Sequence, residues 1–511
     1  MHLNFYRMDW ILASIFNMKS LKFLLFLSLL TLSLNTISQK VTHQNVISQN
    51  NNSHNCIIMG NSPDYANVES PVYTIDNPLI GSRSIIDTLH FDERGSFQIN
   101  LTLSELTVLY FDLGRYEGYF YALPGYTYNL SLPPYAEKTH YNNINPYYKP
   151  LELHLRASEY RILGSNEALD MHAECNNLLF RFDTLFNRAN EQVLIKRQKN
   201  VFMDVDSVMK SLEKNFTPDS SEFFMRYRKY RYGLLSANGG KMGLEDLSVK
   251  FLNDRVPRLN EPAYMDLFNV MFDDFFMYYS RTDNGKNITS AINRKQSLTE
   301  LRQALAHHNA IFSDTLADLL ILKEISQHYY ENYFIKDALL IILDSISVSS
   351  PLQAYRLIAL NMHKQFSSLR TGNAPPEFSM RDQDGNFTSL AKFKGKYVYI
   401  YFCTPDNYSC MMEYPFLESF HEKHSEYLEI LTIMVAEDIG DMNQFMKQNN
   451  YEWRALYYKD QPDILKTYNI RYYPTSFLVG PDGNLIQSPA TLPSEGFQQQ
   501  LFRIMRSKGD I

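Results

Sequence analysis

Two nearly uninterrupted apolar runs near the carboxyl end constrain the fold more than anything else in this sequence. Lys396–Phe402 (KYVYIYF) and Leu428–Ala436 (LEILTIMVA) lack the polar alternation of a half-solvated strand. Runs of that kind belong to strands covered on both faces, as in sheets flanked by helices. Between them Met412, Phe416 and Phe420 recur at four-residue spacing, which predicts a helix with Pro415 inside it. Asp441–Gln448 predicts a second helix, Pro462–Tyr468 a short one and Glu495–Ser507 a closing one. Ser476–Val479 and Asn484–Gln487 flank Gly480-Pro481-Asp482-Gly483, the pattern of an antiparallel hairpin. Upstream, Asp382-Gln383-Asp384-Gly385-Asn386 reads as a tight turn between two short strands. This is an α/β order, and its β-α-β unit should cross over right-handed.

The remaining sequence is organised differently. A chain of 511 residues has room for about three domains. Residues 60–148 carry short β-branched and aromatic runs such as Val72–Ile75, Phe97–Leu101 and Val108–Phe111, with turn residues roughly every ten positions. That spacing predicts a small antiparallel β-sandwich. Residues 149–368 show apolar positions three and four apart, as in Leu301–Ala310, Thr315–Tyr330, Lys336–Ile346 and Pro351–Phe366, and predict a helical middle domain. The fold class is therefore multidomain α+β, with a separate α/β domain over 369–511.

The amino end reads as an address. Lys19 and Lys22 precede the apolar run Phe23–Leu34, and Thr36-Ile37-Ser38 follows it, so residues 1–38 are read as a secretory signal cleaved after Ser38. MKSLKFLLFLSLL, beginning at Met18, is a complete signal by itself. Residues 39–59, rich in Asn, Gln and Ser, are read as a flexible lead-in. The expected location is the periplasm or cell envelope, with no stable transmembrane segment after cleavage.

A formal net charge of −7 lacks the concentrated basic face of a nucleic-acid binder, so no nucleic-acid partner is expected. Four cysteines exclude a disulfide-built scaffold but leave room for one redox or structural pair. His307 and His308 are adjacent, which on a helix points them about 100° apart. His421 and His424 are one turn apart but lack a third ligand, so no metal site is expected.

The last domain resembles the TlpA/ResA-like thiol-disulfide oxidoreductases of the thioredoxin fold, within the AhpC/TSA-redoxin superfamily. The resemblance rests jointly on Asn373-Ala374-Pro375-Pro376-Glu377-Phe378, Lys394-Gly395-Lys396, Glu413-Tyr414-Pro415 and Tyr473-Pro474-Thr475-Ser476-Phe477-Leu478. It covers about a quarter of the chain. It implies thiol-disulfide exchange with protein thiols or extended peptide segments of envelope proteins, and no cofactor.

That chemistry needs a C-x-x-C pair at a helix amino terminus, where free amides and the helix dipole favour the attacking thiolate and a second thiol resolves the mixed disulfide. Aligned on Phe402 and Glu413-Tyr414-Pro415, the motif here is Asn407-Tyr408-Ser409-Cys410. Asn407 stands at the attacking position and has no sulfur. Three readings of Cys410 stand open: inert packing, a monothiol, or one half of a displaced redox couple with Cys403. The resemblance also assigns Pro474 to a cis proline, with Tyr473 beside it, where neighbouring backbone meets an extended substrate together with Asn407 and Tyr408. It assigns Glu413 to proton transfer near the sulfurs. A non-enzymatic module that holds a peptide or protein partner in the groove beside Pro474 is the alternative from a different functional class.

Overall fold

The computed structural model describes residues 54–145, 148–216, 221–254, 256–331 and 333–511. The expected signal, residues 1–38, lies outside them, as does most of the lead-in. The lead-in ends sooner than its composition suggested. Strand β1, His54–Asn61, already contributes the buried Cys56 and Ile58.

The strands that follow are β2 (Glu69–Asn77), β3 (Ser82–His90), β4 (Ser96–Leu103), β5 (Thr107–Leu113), β6 (Tyr116–Ala122) and β7 (Tyr126–Ser131). A short helix, His140–Ile144, precedes β8 (Leu151–His154) and β9 (Arg156–Ile162). They form a four-stranded sheet in the order β4-β1-β7-β9 and a five-stranded sheet in the order β3-β2-β5-β6-β8. β4 alternates strictly, with Phe97, Ile99, Leu101 and Leu103 inward, and shares one apolar core with Val72, Leu109, Phe111 and Phe120 of the other sheet. Two pairings depart from the antiparallel expectation, because β1 runs parallel to β7 and β6 parallel to β8. These partners are distant in sequence, so no tight turn dictates their direction. β8 and β9 also lie past residue 148, beyond the region predicted to hold the strands.

Helices from Cys175–Gln198 to Gln353–Ser367 surround a second core, rich in Phe, Tyr and Leu. Asn176 joins the two regions. Its side-chain amide pairs with the backbone N–H and C=O of Tyr121 at 2.8 and 2.9 Å, as a neighbouring strand would. Among the described residues, no helix is long and apolar enough to cross a membrane.

The carboxyl region opens with the hairpin β10 (Ser379–Arg381) and β11 (Phe387–Ser389). Next come β12 (Tyr397–Cys403), the helix Tyr408–His424, β13 (Leu428–Met434), the helix Ile439–Gln448, β14 (Arg454–Tyr457), the hairpin β15 (Thr475–Val479) and β16 (Leu485–Gln487), and the helix Phe497–Lys508. The sheet order is β14-β13-β12-β15-β16, with β12, β13 and β14 parallel and β15 and β16 antiparallel. Every residue of β12 is buried, as its apolar run requires. Tyr397, Tyr399, Tyr401 and Cys403 enter the core on one face, and Val398, Ile400 and Phe402 enter the core on the other.

From Asn55 to Ile511 the chain is one compact unit.

Candidate functional site

The site lies where β12 ends and the helix Tyr408–His424 begins. Thr404-Pro405-Asp406 links them, and Asn407 is the helix N-cap in an extended conformation. Its Oδ1 accepts the Cys410 amide hydrogen at 3.0 Å. A helix start leaves its first amides without intrahelical acceptors, and an Asn cap satisfies one of them. Asn407 thus closes the helix end with its own side chain.

Cys403 and Cys410 are neighbours, both unbridged and with 0% exposure. The Cys403 thiol donates to the Thr404 carbonyl at 3.3 Å and accepts from the Tyr414 hydroxyl at 3.4 Å. Burial pushes the Cys403 pKa well above that of a free thiol, and the adjacent Cys410 adds to the rise, while Tyr414 and Tyr401 oppose it. Cys403 is therefore a neutral thiol at ordinary pH. Tyr401 donates to the Cys410 carbonyl at 3.2 Å. Sequence reasoning missed Tyr401 and Tyr414, since an aromatic strand residue and an aromatic helix residue carry no signal beyond core packing.

Glu413 is buried, and both its oxygens are engaged by Ser494. One accepts the Ser494 amide at 2.8 Å and the other its hydroxyl at 2.6 Å. The carboxylate thus fastens the Pro493–Glu495 turn to the helix. Its charge still reaches the Tyr399 and Tyr401 phenols, whose pKa values burial already raises.

The Tyr473–Pro474 bond is cis and Pro474 is buried. Tyr473 packs on the core cluster that contains Cys403 and Cys410, and both sulfurs add to a pKa rise that burial dominates. The structure thus gathers Asn407, Cys410, Cys403, Tyr473 and Pro474 at one place. Tyr408 and Tyr472 lie at its edge, 77% and 61% exposed. The helix face differs from its sequence reading. Met412 and Phe416 are 53% and 44% exposed, and the inward face is Cys410, Glu413, Tyr414, Leu417 and Phe420.

Among the described residues, no group of His, Cys, Asp and Glu side chains is placed to hold a metal ion. His424 bonds the Tyr427 hydroxyl at 2.6 Å and Gln498 at 2.9 Å. His308 accepts the Ala310 amide at 3.2 Å.

A central β-α-β unit, an added antiparallel hairpin and a cysteine-bearing helix start opposite a cis proline define a thioredoxin-like module. Residues 371–488 match the AhpC/TSA family. Thiol-disulfide oxidoreductase ResA of Bacillus thuringiensis subsp. konkukian (strain 97-27) is 32% identical over 124 residues, which are 23% of this chain and 69% of that one. Its counterpart in Bacillus subtilis (strain 168) is 29% identical over 24% of this chain and 67% of its own. A solution structure of a thiol:disulfide interchange protein from Bacteroides sp. is 26% identical over 26% of this chain and 91% of that chain, with a TM-score of 0.25. Through this region the chain belongs to the AhpC/TSA family, alongside the ResA-like thiol-disulfide oxidoreductases.

Proposed function

We propose that this chain is an envelope thioredoxin-fold protein in which the dithiol exchange of its relatives is weakened or lost. The observation that carries the reading is Asn407, an amide capping the helix where the attacking sulfur would stand. The burial of both cysteines supports it, because disulfide exchange requires a thiolate that reaches its partner. Export through residues 1–38 is part of the same proposal. Cys410, Cys403 and Glu413 then serve the interior of the module, and Tyr473, Pro474, Asn407 and Tyr408 border the groove.

The test is a disulfide-reduction assay on wild type, Cys410→Ser and Asn407→Cys. Wild type and Cys410→Ser are expected at the same background rate. Asn407→Cys restores C-x-x-C and is expected to gain reductase activity. Wild-type turnover abolished by Cys410→Ser would instead establish a working monothiol, and a silent Asn407→Cys would remove the inherited-scaffold account.

A second reading, a non-enzymatic module for an extended peptide or protein partner, is favoured by the exposed Tyr408, Met412 and Phe416. They follow one another at four-residue spacing along the helix, and Tyr472 is exposed next to the groove. Large apolar side chains grouped on a surface are the usual material of a partner contact.

A further inference from the structure

Tyr473 does two things at once. Its ring packs on the core holding Cys403 and Cys410, and its hydroxyl donates to the Ile144 carbonyl at 3.1 Å, 329 residues away. Ile144 ends the short helix His140–Ile144 and packs against the same carboxyl-terminal body. The chain leading to that helix is tied to the β-strand region. Ala136 bridges Gly114, the Arg115 amide donates to the Ala136 carbonyl at 2.7 Å, and Lys138 pairs with Asp112 at 2.8 Å. Thr139 then caps the helix through a reciprocal bond with Asn142. The arm is braced along its length and ends on the residue beside Pro474.

A second contact reaches the same loop from the helical region. The Arg471 guanidinium sits 4.9 Å above the Tyr330 ring, a cation–π arrangement. Both front regions thus hold the segment Arg471–Pro474. In a module working alone, this segment would be free to meet a partner.

We propose that Tyr473 is a door over the Cys403–Cys410 pair, latched by the arm Ala136–Ile144. Access to the thiols then depends on releasing that arm. The device goes beyond the functional reading above, since it sets when the buried sulfurs can be reached whether or not they exchange. A hydrogen bond between neutral groups contributes about 0.5–1.5 kcal/mol, so breaking it raises the open population roughly two- to tenfold.

The experiment is alkylation of the native full-length protein with N-ethylmaleimide, with each cysteine followed by mass spectrometry. Tyr473→Phe keeps the ring and removes the latch. It is expected to label Cys410, and more slowly Cys403, roughly two- to tenfold faster than wild type. Cys56, fully buried in the β-strand region, should keep its wild-type rate. Arg471→Ala, which frees the loop from Tyr330 without touching the thiol core, should act in the same direction and decides the question if Tyr473→Phe does not fold. Unchanged Cys410 labelling, or Cys56 accelerating in parallel, would overturn the latch. Labelling needs no turnover, so an inactive protein and an absent latch give different results.

Discussion

Asn407 caps the helix Tyr408–His424 with a side chain that carries no sulfur. A cysteine there would leave the Cys410 amide facing a sulfur, whereas the Asn amide oxygen accepts its hydrogen at 3.0 Å. Loss of an Asn cap typically costs about 1 kcal/mol. Asn407→Ala is accordingly expected to destabilise the protein by about 1 kcal/mol in urea unfolding, and Asn407→Asp by much less. An unchanged midpoint for Asn407→Ala would mean that the cap contributes nothing. That Asn407 stands at a helix start was legible in the sequence; that its side chain caps the helix was not, because capping depends on φ and ψ at one residue.

At the scale of single elements, continuous apolar runs identified β12 and β13 because burial on both faces leaves no polar alternation. The helix between them was legible in its existence but not in its facing. Met412 and Phe416 follow helical spacing yet point to water, since the inward stripe is set by what the sheet offers. The turn after β10 is a case where local chemistry suffices. Asp382 accepts from the amides of Asp384 and Asn386 at 3.1 and 2.9 Å, from Thr388 at 3.2 Å and from Arg454 at 2.8 Å. Burial raises its pKa, but these donors together hold it below the usual carboxylate value. Asp382→Ala removes the acceptor of two turn amides and of Thr388 and leaves Arg454 with Glu429 alone, and is expected to cost about 2 kcal/mol. Chemical unfolding measures this, and a loss below about 1 kcal/mol would show that the network is not cooperative. The same depression means that this stability is present above the unfolded carboxyl pKa near 4 and is lost as pH falls through the folded value.

Across the whole molecule, the aromatic composition becomes a pH limit. Tyr121, Tyr227, Tyr401 and Tyr414 have pKa values raised mainly by burial, as does Cys403, and Cys56 is pushed up to about 12. The folded state keeps these protons after an unfolded chain has begun to release them, at about 8.5 for Cys and 10 for Tyr. Their contribution is complete below those values and is lost as pH rises towards the folded ones. Calorimetry should therefore show Tm falling steeply from about pH 9 to 11 and only slightly between pH 6 and 8. A flat Tm up to pH 11 would contradict the burial of these groups.

Read alone, the residues locate the carboxyl module and give its strand and helix order. Both follow from local periodicity, turn chemistry and residue identity. Packing of the folded chain sets the rest: β1 pairs with β7, Asn176 completes the edge of β6, Glu413 fastens Ser494, and Tyr473 reaches Ile144. Each of these joins residues far apart in the chain through a hydrogen bond. Such a bond leaves no periodic trace, because its partner is chosen by the packing of the whole body.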